Sequence, residues 1–116
     1  MDEMSILKEL KRATGADNAA LVGIDGLNLA ADTIEGVMAD SFSIMCATML
    51  GAAATTTSEL KKGKPELIHI DSIDAKVLVA AVGPRAFVVL SVPKASNVDH
   101  VKGEILKSVD KFAQVL

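Results

Sequence analysis

Apolar positions along this 116-residue chain change their period several times. Over residues 4–14, Ile6, Leu7, Leu10 and Ala13 share one face and Lys8, Lys11 and Arg12 the other, which predicts an amphipathic helix stopped at Gly15. Residues 19–24 form a short apolar run, Asp25-Gly26 follows, and apolar positions resume over 27–31. Asp-Gly between two such runs predicts two strands joined by a type I′ turn, in which both central residues take positive φ. After a loop at 33–37, a long helix is expected from about Met38 to Leu60. Residues 61–65 end it: the lysines offset the negative helix terminus, Gly63 offers a left-handed cap and Pro65 blocks continuation. Residues 66–71 alternate, with Leu67, His69 and Asp71 against Ile68 and Ile70, and predict a third strand. Residues 76–82 and 86–92 read as apolar strands around a Gly83-Pro84-Arg85 turn. The last helix spans 97–116, with Val101, Ile105, Val109, Phe112 and Leu116 on one stripe and Ser96 with Asp99 as a capping box.

The predicted order is αββαβββα, an α+β sandwich without repeats or linkers, and residues 1–116 read as a single domain. The first, fourth and fifth strands are apolar on both faces, so both faces of the sheet must be covered. That requires one five-stranded, mostly antiparallel sheet with the middle helix on one face and the terminal helices on the other. The second and third strands carry Asn28, Asp32, Glu66, His69 and Asp71 and belong at the edges.

The middle helix has no charge between Asp40 and Glu59. A helix that is apolar or small all round is buried on more than one side, and a sheet hides only one. Phe42, Met45 or Cys46, Met49, Ala53 and Leu60 suit the sheet side. That leaves Ser41, Ile44, Thr48, Ala52 and Thr55, small and uncharged, for a second copy of the same helix across a two-fold axis. The third strand, with Leu67 and His69, is an edge without a proline or lysine inside it, and pairing with its own copy would satisfy its open backbone groups. The expected assembly is a homodimer.

Composition narrows the function. The net charge is −3 at pH 7 and three Phe are the only aromatic residues, so the basic stripe and stacking platforms of nucleic-acid binders are missing. A single cysteine and an acidic start without a signal-peptide pattern point to a cytoplasmic protein. The uncharged stretch 41–58 approaches a membrane span in length. Its hydroxyls at Ser41, Ser43, Thr48 and residues 55–58 favour a buried soluble helix instead, so no membrane span is expected.

Candidate chemistry is sparse. Gly63-Lys64 is not a phosphate loop, because Ser58 stands where the first glycine belongs and Pro65 where Ser or Thr belongs. Cys46, His69 and His100 match no zinc spacing, and Cys46 lies inside an apolar helix, which also weakens it as a nucleophile beside a histidine. Asp71 and Asp74 flank a turn, where acidic residues are ordinary. Arg85, on a turn tip, is the one candidate for an arginine finger. No cofactor, metal or enzymatic activity is expected.

The runs GIDGLNLAADT (23–33), AVGPRAFVVLSV (81–92) and KASNVDHVKGEI (94–105), with the long Ala/Thr helix, resemble a roadblock / dynein light chain domain over essentially the whole chain. The resemblance implies homodimers or heterodimers built through the middle helix and the strand after it. It implies regulation or scaffolding of small Ras-like GTPases, as in bacterial gliding-motility GTPase activators, or service as dynein and lysosomal adaptor subunits. It carries no active-site residues over. Family members commonly have a glycine soon after the Asn that opens the last helix; here Asp99 stands there and Gly103 comes later. The competing reading is a small-molecule-sensing αβ module, which needs a pocket with convergent polar groups.

Overall fold

Helix α1 (Glu3–Thr14) starts where the Asp2 side chain accepts the Ser5 N–H at 2.8 Å, and ends at Gly15, whose φ of 75° suits a residue without a Cβ. In the computed structural model, which describes residues 1–116, its buried stripe is Ile6, Leu7, Leu10 and Thr14. Ala13, expected on that stripe, is exposed. Thr14 takes the inward position because its Oγ donates to the Leu10 carbonyl at 2.8 Å and leaves nothing polar unpaired.

Strands β1 (Asn18–Gly23) and β2 (Asn28–Asp32) pair antiparallel, but not through a type I′ turn. Only Gly26 has positive φ, at 89°. Gly26 N–H donates to the Gly23 carbonyl and Gly23 N–H to the Leu27 carbonyl, so the loop is residues 24–26: an ordinary turn followed by one left-handed glycine. The Asp25 carboxylate accepts the Leu27 N–H at 3.0 Å and spares Asp25 a positive φ. The extra residue appears as a register shift after Leu21.

Helix α2 (Ala39–Glu59) ends through Lys61, not Gly63. Lys61 has φ 57°; its N–H reaches the Ser58 carbonyl and the Lys62 N–H the Thr57 carbonyl, a left-handed cap one residue past Leu60. Lysine pays a steric cost there that glycine does not. Lys61→Gly is expected to raise stability by about 0.5–1 kcal/mol, read as a higher urea midpoint at unchanged slope.

Strand β3 is shorter than its alternation suggests, Ile68–Asp71. Pro65 cannot donate to a ladder, and the Glu66 carboxylate is drawn to Lys102 at 2.8 Å. Strands β4 (Ala75–Ala81) and β5 (Ala86–Pro93) follow, and helix α3 (Val98–Ala113) closes the order. Its N-cap is Asn97, whose side chain accepts the His100 N–H at 3.0 Å; the Ser96–Asp99 capping box does not form.

All neighbouring strands run antiparallel in the order β2-β1-β5-β4-β3, so β2 and β3 are the edges. Helices α1 and α3 cover one face over a core that includes Ile6, Leu7, Leu21, Leu78, Leu90, Ile105 and Phe112. Helix α2 covers the other over a smaller cluster: Ala20, Val22, Cys46, Val79, Phe87 and Val89. The α+β arrangement expected from the sequence is the observed one.

Candidate interaction surface

Helix α2 lies mainly against β1 and β2. Ser43 fixes it there: fully buried, its Oγ accepts from Asn28 Nδ2 at 3.0 Å. A Cβ added to Gly26 would sit 3.6 Å from the Ile44 Cα, so the hairpin tip also rests on the helix. Beyond Leu50 the helix loses its own sheet. Of residues 51–60, only Ala53 and Thr57 are even half-buried. On the same side, Ile68, Ile70 and Val77 are half-buried and Ala81 is exposed, so the sheet beyond the helix is only partly covered.

Ser41, Ile44, Thr48, Ala52 and Thr55 are all exposed along one face. Of Met45 and Cys46, the two candidates for the sheet side, Cys46 takes it and is buried, while Met45 belongs with the exposed face at 70 % exposure, next to Ile44 at 61 %. Leu60 is likewise exposed and does not reach the sheet. The signal for Met45 was in the spacing: Ser41, Met45, Thr48, Ala52 and Thr55 step by four, three, four and three, a helical seam.

One hydroxyl on this face and one beside it are engaged within the helix itself. Thr48 Oγ donates to the Ile44 carbonyl at 3.0 Å and Thr56 Oγ to the Ala52 carbonyl at 2.8 Å. Such back-bonding turns the hydroxyl onto the helix and leaves the methyl outward. No residue of α2 takes part in an ion pair. The face can therefore be dehydrated without stranding a charge.

Leu67 and His69 stand on the β3 edge. Leu67 is half-buried against the α1/α3 core, and the exposed His69 ring lies 3.3 Å from the Asp71 carboxylate. Desolvation opposes the Asp71 charge, but His69 and Lys94 outweigh it and hold that carboxyl below its ordinary range. The hydrogen bond from Lys102, with its charge, lowers the Glu66 carboxyl in the same sense.

The groups weighed for catalysis are apart. Cys46 is buried beneath α2, and burial pushes its thiol up, away from the reactive thiolate. His100 sits in the first turn of α3 with Nε2 3.1 Å from the Ala13 carbonyl, tying α3 to α1. Arg85 is exposed on the β4–β5 turn. Asp71 and Asp74 bracket the β3–β4 turn, with Asp71 engaged by His69 and Lys94. A cleft of about 280 Å³ under α2 is lined by Asn18, Val37, Phe42, Cys46, Val77 and Val89, among others. Its Asn18 side-chain oxygen already accepts the Ile34 N–H at 2.9 Å. No helix is long and apolar enough to cross a membrane.

Comparison with known proteins agrees with this architecture. An uncharacterized protein of Methanocaldococcus jannaschii is 31% identical over 107 residues, spanning 92% of this chain and 93% of its own. Myxococcus xanthus MglB superposes with a TM-score of 0.89 at 14% identity, covering 96% of this chain and 91% of its own. A Roadblock/LC7 domain from Streptomyces avermitilis also reaches 0.89, at 12% identity over 98% and 97% of the two chains. Residues 3–91 match the model of the Roadblock/LC7 domain, and the chain belongs to that family.

Proposed function

We propose that this chain works as a single cytoplasmic domain that forms a homodimer through α2 and β3, and that the dimer binds and regulates a small Ras-like GTPase without catalysing a reaction itself. The observation that carries this reading is the uncharged α2 face, exposed along its length, with the hydroxyl of Thr48 near its middle bonded back to its own helix. A monomer gains nothing from such a face, whereas a second copy buries it. The half-covered sheet beside it, at Ile70 and Val77, is where a partner's helix end would lie. The GTPase assignment rests on the family, whose resemblance implies regulators of that kind. The small-molecule reading is the weaker one, because the cleft under α2 is nearly all apolar and its Asn18 is already engaged.

Two measurements test this. Sedimentation at about 10 µM, well above a sub-micromolar Kd, should give twice the 12.1 kDa chain mass; a monomer would sink the dimer. Affinity capture with GTP and with GDP should recover a small GTPase in amounts that depend on the nucleotide. If the dimer alters hydrolysis, it does so by ordering the GTPase's own switch loops, a shift of a conformational equilibrium in the partner. Arg85→Ala should then change the stimulated rate by less than about tenfold, against roughly 10³–10⁵ for removal of an arginine finger. A thousandfold loss with binding intact would make Arg85 catalytic.

A further inference from the structure

The β3 edge says how two copies would meet. Ser72 N–H donates to the Ala75 carbonyl, which makes that pair a hydrogen-bonded one in the β3–β4 ladder. Alternation then turns the backbone groups of Ile68 and Ile70 toward β4, and those of Leu67, His69 and Asp71 toward the open edge. The β4–β5 ladder agrees. Val82 N–H donates to the Ala86 carbonyl, which sends the backbone of Leu78 and Ala80 to β5 and leaves Val77 and Val79 for β3.

We propose, resting on the homodimer reading above, that the two-fold axis passes through His69, so that β3 joins its own copy antiparallel with His69 opposite the partner's His69. This register sets each residue whose backbone faces the open edge opposite another such residue: His69 pairs with the partner's His69, and Leu67 with the partner's Asp71. The next outward position is Pro65, which has no N–H, and there the ladder stops. On the α2 face the same register sets Ile68 against the partner's Ile70, covering two side chains that are only half-buried in one copy. Beyond the strand it brings Ile73, 92 % exposed, to the partner's Pro65, and Asp74 to the partner's Lys64, a charge that has no ion-pair partner within its own chain.

The neighbouring registers do worse. An axis through Ile70 sets Ile68 against the partner's Ser72 and Glu66 against the partner's Asp74, a like-charge pair. An axis through Ile68 sets Ile70 against the partner's Glu66 and wastes Asp71 on the partner's Pro65.

Disulfide trapping tests the axis. In a Cys46→Ser background, His69→Cys, Ile68→Cys and Ile70→Cys are oxidised separately with oxidised glutathione and run without reductant. A hydrogen-bonded antiparallel pair holds its Cα atoms about 5.5 Å apart, within disulfide reach. His69→Cys should move the main band from the chain mass to twice that mass, while Ile68→Cys and Ile70→Cys stay at the chain mass. Should His69→Cys fold poorly, mixing Leu67→Cys with Asp71→Cys gives a second reading of the same register, with covalent dimer expected only in the mixture. Trapping through Ile68→Cys or Ile70→Cys in a chain that sediments as a dimer overturns the axis and leaves the homodimer standing. No trapping in a chain that sediments as a monomer overturns the homodimer, and this inference with it.

Discussion

Thr48→Glu is expected to leave the chain folded and make it monomeric. Thr48 sits near the middle of the exposed α2 face, so a two-fold contact through that face brings the two substituted positions into the same dry region. Each buried carboxylate then costs several kcal/mol of desolvation, and no cation lies on either helix to offset it. A loss of about 4 kcal/mol raises the dimer Kd about a thousandfold. Sedimentation at about 10 µM should shift from dimer to monomer, while the far-ultraviolet circular dichroism stays that of the parent, because Thr48 is exposed in the single chain. Thr48→Val is the control. The hydroxyl it removes bonds only the Ile44 carbonyl of its own helix, so the dimer should persist. A Thr48→Glu protein that still sediments as a dimer would put the interface somewhere other than α2.

That face was legible in the sequence because its signal is an absence of charge, which needs no knowledge of packing. Strand order at the edges was legible too, since Asn28, Asp32, His69 and Asp71 cannot sit in the middle of a sheet covered on both sides. What was not legible depended on single-residue rotations and local bonds. Met45 and Cys46 are adjacent, and apolarity alone does not say which faces the sheet; only the seam spacing points Met45 outward, and the placement of Ser43 against Asn28 fixes that rotation. Asp25-Gly26 fits a type I′ turn by composition, yet the bond from Leu27 N–H to the Asp25 carboxylate selects a three-residue loop. Lys61 in the left-handed cap runs against propensity, with Gly63 two residues away, because the helix keeps its hydrogen bonds only as far as Leu60. The direction in which His69 presents its backbone follows from ladder parity, which no side-chain pattern records.

Phe87→Ala and Phe112→Ala separate the two faces of the sheet. Both rings are fully buried, Phe87 in the small cluster under α2 and Phe112 in the larger core between the sheet and α1/α3. Each truncation should cost about 3–5 kcal/mol, a large part of the roughly 5–15 kcal/mol that holds such a domain folded. The midpoint of thermal unfolding should fall by more than about 10 °C in both. Their effects on assembly should differ. Phe87 supports the floor on which Cys46 and its helix rest, so a cavity there loosens the seat of α2 and with it the alignment of the face that meets the partner. Phe112 lies across the sheet from that face, and its loss weakens folding without moving α2. At a temperature where both variants remain folded, Phe87→Ala should dissociate at concentrations where Phe112→Ala remains dimeric. Equal weakening of the dimer by the two would show that α2 is not the element that carries the contact.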